Sequence, residues 1–222
     1  MLKFKIFLLF LFALQIDSFS QQLTKNEKSV FDEIAYFRIK PDDHLRITKW
    51  IAPIRYKLYG DSSEYIKKEI DSTFAQLKRL TGLDIQKTND DDEVNFVIAA
   101  INDDIVYPVL SSETSKYANK YGGYYFKTNG KNEIYRVENI IYPISYKEKI
   151  ELRSALKKSI IKSLGFFTHT EQMPNSFFYS QGNGKLKIDA FDSHIISTLY
   201  LPTIKTGMII DEVAKILNPN GG

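Results

Sequence analysis

Eight residues near the middle of the chain, Val94–Ile101 (VNFVIAAI), are apolar at every position except Asn95. A strand with one wet face alternates apolar and polar residues, so a run this little interrupted belongs to a strand covered on both faces. Such a strand sits inside a sheet and needs a packed layer above and another below. Those layers must come from the segments on either side of it.

Upstream, Phe31–Phe37 carries apolar residues at 31, 34, 35 and 37, which fits one or two helical turns. After Trp50 and Pro53, the alternation in Ile54–Tyr59 (IRYKLY) predicts a half-buried strand. Gly60–Ser63 is a turn, with Ser62 or Ser63 placed to cap a helix. From Glu64 to Leu80, Ile66, Ile70, Phe74, Leu77 and Leu80 recur every three or four residues, and Gly82 follows as a stop. Leu83–Gln86 is a strand, separated from Val94–Ile101 by the acidic turn Asn89–Glu93. Residues 102–120 show no clear period and read as a long loop with a short helix. Gly122–Lys127 and Glu133–Ile141 are strands joined by an Asn129-Gly130 hairpin turn, and Pro143 ends the second.

The next element, Tyr146–Leu164, is a helix whose core stripe is Leu152, Leu156, Ile160 and Leu164. At 100° per residue, Lys158 and Lys162 fall roughly opposite that stripe, with Ser159 at its flank. An irregular stretch follows Gly165. Phe191–Leu201 is a short helix stopped by Pro202, and Ile209–Leu217 is the last helix. The order predicts an α+β fold with a mixed twisted sheet, packed helices and a mostly helical C-terminal part. There is no internal repeat. Residues 31–217 read as one domain, 21–30 as a polar flexible leader and 218–222 as a flexible tail.

Residues 1–20 have the form of a signal peptide: Lys3 and Lys5, the apolar run Ile6–Leu14, then Ser18-Phe19-Ser20 before the cleavage point. The run is too short to span a bilayer, which takes about 20 residues; the alternative is an N-terminal anchor helix. Cleavage leaves 202 of the 222 residues and a nearly neutral chain of net charge +2. That balance argues against a nucleic-acid surface, which would carry a concentrated basic stripe. The chain has no cysteine, hence no disulfide, thiol chemistry or lipidated cysteine. No later segment is a membrane span. The expected product is a soluble exported protein, periplasmic or extracellular.

Candidate chemistry is sparse. The chain has three histidines, His44, His169 and His194, each read as structural or surface. A Ser-His-Asp arrangement could be drawn from Ser176 or Ser159, His169 or His194, and Asp189 or Asp192, but no Gly-x-Ser-x-Gly elbow accompanies it. Gly122-Gly123 lacks the helix start and Gly-Lys-Ser/Thr of a phosphate loop. Asp90-Asp91-Asp92 lacks the spaced oxygens of a calcium loop and reads as a solvated turn. The aromatic residues at 121, 124–126, 177–179 and 191 could line a groove or simply pack against strand faces.

Several stretches together carry a resemblance. They are FDEIAYF at Phe31–Phe37, TKWIAPIRYKLYG at Thr48–Gly60, LTGLDI at Leu80–Ile85, the helix ending in Leu164-Gly165, Asn175-Ser176-Phe177-Phe178, and LYLPTIKTGM at Leu199–Met208. In their order and spacing the chain resembles domain of unknown function 2927, a bacterial family of exported proteins. The resemblance implies a zincin-like fold, with Glu151–Phe166 in the place of the helix that bears His-Glu-x-x-His in zinc peptidases. The family has a Glu-Glu-x-x-Gln-like helix there, and this chain departs further, with Lys158-Ser159-Ile160-Ile161-Lys162. Zinc takes neutral imidazole or anionic ligands, and two ammonium groups would repel it. Ser159 cannot replace the glutamate that activates a zinc-bound water. A third ligand would fall at Thr168, one residue from His169. No metal, cofactor or catalytic residue is therefore assigned. The expectation is a non-catalytic pseudo-metallopeptidase that binds an extended peptide or an envelope protein; the alternative is a peptidase-like hydrolase with an atypical site. The candidate groove comprises Lys158, Ser159 and Lys162 on the helix and Tyr124, Tyr125 and Phe126 on an edge strand.

Overall fold

The computed structural model describes residues 23–38, 44–102, 110–114, 120–182 and 184–218. Residues 1–20, read from the sequence as a signal peptide, the 41–43 turn, most of the 102–120 loop and the tail beyond Asn218 lie outside the described residues. Five α-helices are described: α1 (Lys25–Ile34), α2 (Glu64–Thr81), α3 (Lys149–Lys162), α4 (Ala190–Leu199) and α5 (Ile210–Leu217). The strands are β1 (Tyr36–Phe37), β2 (Arg46–Ile47), β3 (Lys49–Trp50), β4 (Ile54–Gly60), β5 (Ile85–Lys87), β6 (Phe96–Ala100), β7 (Gly122–Thr128) and β8 (Glu133–Ile141). The α+β composition expected from the sequence is what the chain forms.

β1 and β2 make a small antiparallel pair. The main sheet runs β3-β8-β6-β4-β5 with parallel neighbours throughout, and β7 lies antiparallel on β8. β7 runs along one side of β8 from Ile134 to Ile141; on the other side β3 pairs with Glu133 and Ile134, and β6 pairs with Val137 to Ile141. In the hairpin between β7 and β8, Asn129 Oδ1 accepts from Lys131 N at 2.9 Å and Glu133 N at 3.1 Å.

All five residues of β6 are buried, and they divide by face as a central strand requires. Phe96, Ile98 and Ala100 join the main core beneath the helices. Ala99 turns the other way, packing with Ile101, Ile140, Leu110 and Tyr142. On the helical side, α2 docks through Phe74, whose ring stacks on Tyr56 at 4.1 Å and meets Phe96 edge-on at 5.1 Å. Gly82 ends α2 with φ +70°, the left-handed stop that glycine adopts without strain.

The flexible leader expected at 21–30 needs correction. Leu23 is buried and α1 begins at Lys25, so the folded part starts within that stretch. Thr24 and Glu27 form a capping box: Thr24 N donates to Glu27 Oε2 at 2.8 Å, and Glu27 N donates back to Thr24 Oγ1 at 3.3 Å. His194 Nδ1 lies 2.8 Å from Glu27 Oε1 and ties α4 to this cap. Val30, Phe31 and Ile34 then enter the core.

α3 crosses α2 beneath the sheet. Leu152, Leu156, Ile160 and Leu164 are buried as the stripe predicts, but so are Lys157, Ile161 and Lys162 on other faces. A buried ion pair clamps the two helices, with Lys157 Nζ 2.9 Å and Arg153 Nε 2.8 Å from the Glu69 carboxylate. At the end of α3 the chain turns through Gly165, φ +128°, where a Cβ would come within 2.5 Å of Thr48 O. Only glycine lets the two backbones approach this closely. No helix among the described residues is long and apolar enough to cross a membrane.

Candidate functional site

Among the described residues, β7 pairs with β8 alone and so forms an edge of the sheet. Its antiparallel register decides which peptide groups face outward. Tyr142 N donates to Tyr121 O at 3.2 Å, so residues 121, 123, 125 and 127 turn their backbone groups toward β8. Ile141 O and Val137 N bond on the β6 side, which is consistent with that parity. Gly122, Tyr124 and Phe126 therefore present N–H and C=O away from the sheet. Gly122 has φ +124°, and a Cβ there would meet Ile140 O at 2.1 Å, so glycine is what brings the start of β7 against β8.

Side chains on β7 alternate in the usual way. Tyr124 and Phe126 face the helices. Phe126 packs against Phe37 at 5.0 Å and Phe167 at 4.8 Å, and those two rings meet at 4.6 Å. A cleft of about 520 Å³ runs along the strand, lined by Phe37, Tyr124, Tyr125, Phe126, Lys127, Thr128 and Tyr135. All three β7 residues of the candidate groove, Tyr124, Tyr125 and Phe126, thus line one cleft. Phe177 and Phe178, by contrast, are buried in ordinary core packing, and Gly122-Gly123 belongs to a strand.

The helix side of the candidate groove lies beneath Tyr124. Ser159 Oγ donates to Asn139 Oδ1 at 2.8 Å, and Asn139 is the cross-strand partner of Tyr124. Lys162 Nζ lies 5.8 Å from the centre of the Tyr124 ring, 3.2 Å from His169 Nδ1 and 3.1 Å from His169 Nε2. Tyr124 OH donates to Phe166 O at 3.3 Å, holding the strand over the end of α3. Lys158 Nζ donates to Tyr179 O and, at 3.3 Å, to Gln181 O. The sequence puts Lys158 and Lys162 on a face opposite the core, and for Lys162 this is overturned: it is 5% exposed. β7 and the segment after Gly165 close over that face of the helix.

Neither lysine has a carboxylate within ion-pair distance among the described residues. Burial, and then the nearby Lys158 charge, brings Lys162 down to about 7 from the ordinary lysine value. Burial likewise lowers Lys158. His169 is pushed down to about 4 by burial and by the Lys162 and Lys158 charges, against a smaller opposing effect of Glu171. At neutral pH the cluster is therefore a neutral imidazole resting on an amine that readily exchanges its proton. Sequence reading set His169 aside as one residue out of register for a metal ligand. Its contact with Lys162 is between residues seven apart, outside the helix, and no local pattern announces it.

The residues do not fit a zinc ion. Two amines occupy the positions where the resemblance would put helical ligands, one of them engaged by backbone carbonyls, and one imidazole remains. Among the described residues, no three His, Cys, Asp or Glu side chains are grouped as a metal site. The Ser-His-Asp combinations do not assemble either. Ser176 Oγ donates directly to Asp192 Oδ1 at 2.6 Å, in a buried network completed by Lys185 at 2.5 Å from Asp192 Oδ2. His194 faces Glu27, and Asp189 caps α4 by accepting from Asp192 N at 3.0 Å. Ser159 is hydrogen-bonded to an amide, which cannot serve as its base. His44 and Asp90–Asp92 are exposed.

A second cleft, about 260 Å³, lies beside Lys49 and Tyr200. Lys49 Nζ donates there to Leu199 O at 2.6 Å and Ile204 O at 2.7 Å, closing the end of α4. It is a structural joint. No curated protein matches the sequence. Residues 25–219 match the family described as protein of unknown function (DUF2927), and the chain belongs to that family.

Proposed function

We propose that this chain is a zincin-like, non-catalytic binding module that holds an extended peptide, or an extended segment of a protein, along β7. The observation that carries the reading is the outward-facing backbone of Gly122, Tyr124 and Phe126 beside an aromatic-lined cleft. An unpaired strand edge binds an extended chain by main-chain hydrogen bonds, and flanking pockets select alternate side chains. A parallel sheet ending in one antiparallel edge strand, with a helix running beneath it, is also the arrangement in which zinc peptidases hold substrates. Here lysines stand where metal ligands would, which favours binding over hydrolysis. The signal-like residues 1–20 support a role outside the cytoplasm, in the periplasm or beyond. Intact mass of the recovered protein should then match residues 21–222, and a full-length mass in the membrane fraction would favour an anchor.

Binding is tested by selecting the mature protein against a library of extended peptides and mapping the complex by amide hydrogen exchange. Tyr124 and Phe126 amides should gain protection. Methylating alternate backbone nitrogens of the selected peptide should abolish binding in one phase of alternation and spare it in the other. Protection confined to another surface, or indifference to both methylation patterns, would refute docking on β7.

A further inference from the structure

Beneath the middle of β7 lies a cluster of donors whose two lysines have, among the described residues, no carboxylate within ion-pair distance. Lys162 is almost sealed from water, Lys158 is hydrogen-bonded among the described residues to carbonyl oxygens, and the exposed His169 forms the solvent side of the cluster. Two residues along the strand on the same face, the half-buried rings of Phe37, Phe126 and Phe167 form an apolar cluster. The Tyr124 and Phe126 rings that mark these two places are 6.3 Å apart, close to the repeat of alternate residues in a strand.

We propose that the bound strand places an acidic side chain against Lys158, Lys162 and His169 and an apolar side chain, two residues away, against Phe37, Phe126 and Phe167. This rests on the reading of β7 as a docking edge. The acid belongs to a side chain and not to a chain end, because Tyr124 lies inside β7, with strand on both sides. A chain paired along the whole edge passes over the lysines and continues. A carboxylate there supplies the anionic partner that the lysines lack, and charge-assisted hydrogen bonds are the stronger ones.

Binding should also take up a proton. The charged and titratable groups around Lys162 are Lys158 on its own helix, His169 and Glu171 from the following segment, and Tyr124 from β7. With His169 at about 4 and Lys162 at about 7, Lys162 is the group that changes charge just above neutral pH. A ligand carboxylate favours its protonated form, so affinity falls as pH rises through that range.

The test uses the mature chain and end-capped peptides of about seven residues, a length that spans the edge strand. Each carries Glu and Leu two residues apart, in either order, and is compared with its Gln counterpart. Gln in place of Glu should weaken binding about tenfold at about pH 6, from the loss of a charged hydrogen bond. The gap should narrow by about pH 8.5, and in Lys162→Met it should be smaller at about pH 6 and lose that pH dependence. Should Lys162→Met fail to fold, the pH series on the natural chain carries the test. Equal binding of Glu and Gln peptides at low pH would overturn the acidic anchor and leave the docking edge standing. A carboxylate effect seen only with uncapped peptides would overturn the side-chain assignment. Failure of every peptide to bind would remove the docking edge and the anchor together.

Discussion

Lys157 and Lys162 stand five residues apart on α3, exposed to only 3% and 5%, yet they are held in opposite ways. Lys157 Nζ meets the Glu69 carboxylate at 2.9 Å and Leu186 O at 2.7 Å, so its charge is matched. Lys162 meets a neutral imidazole and an aromatic face, and burial drives its proton off near neutrality. Removing a charge from water costs several kcal/mol unless an opposite charge and good hydrogen bonds offset it. At Lys157 they do, and the residue is a joint between α2 and α3. At Lys162 the fold carries the cost uncompensated, which is the pattern expected where a ligand supplies the missing partner.

The largest effect should come from breaking the matched pair. Glu69→Ala strands Lys157 in the core and releases Arg153, and should cost about 3–5 kcal/mol in urea unfolding. Replacing both partners, Glu69→Leu with Lys157→Met, should recover most of that loss, because neither charge is then left alone. If the single and double replacements were equally damaging, packing would explain the joint and the contrast with Lys162 would collapse.

Lys162→Met should have the opposite sign. Lys162 is about 7 folded and near the ordinary 10.5 unfolded, so between those values the unfolded chain holds the extra proton. Stability of the natural chain therefore rises with pH across that window and is lowest, from this source, below it. Removing the amine should stabilise the fold by about 1–3 kcal/mol near pH 7 and flatten the rise, leaving the share that comes from Lys158 and from Lys49, which burial brings down to about 8. Paired unfolding curves from about pH 6 to 10 read both effects. A rise as steep in the variant as in the natural chain would mean that other groups carry all of it and that Lys162 is not the unmatched charge.

How far the sequence could foresee this contrast depends on the range of the interaction. β6, the Gly82 stop, the β7–β8 hairpin and the core stripe of α3 are written in contacts between near neighbours, and each was legible as such. Thr24 and Glu27 also carried a local signal, the capping box, but the polar residues around it read as a loose leader. The burial of Lys162 had no local signal. A helical period shows which face meets the first neighbour, here the α2 and sheet core. It is silent about a second cover, and that cover comes from β7 and from Phe166–Tyr179, elements whose placement depends on the finished fold. The aromatic triplet at 124–126 was legible as a candidate. Its separation from the buried Phe177 and Phe178 was not, since both runs have the same composition.

The smallest effect, and the most direct reading of the contrast, concerns His169. Its ring covers Lys162 Nζ on the solvent side and is itself exposed, so His169→Ala should change stability by no more than about 0.5 kcal/mol. What should change is access to the amine. Acetylation by a small acylating reagent, followed residue by residue by mass spectrometry, compares Lys162 with Lys157 in one sample. Two consequences compete at Lys162: water enters and the amine is reached more often, but better solvation raises its pKa and lowers the neutral fraction that reacts. At about pH 9 even a pKa restored by two units leaves about half the amine neutral, a loss of only about twofold. Access should therefore dominate, and Lys162 should label several-fold faster in the variant while Lys157, locked to Glu69, keeps its rate. Unchanged labelling of Lys162 would mean that β7, not the imidazole, seals it, and the entrance to the cluster would have to be sought along the Tyr124 side of the groove.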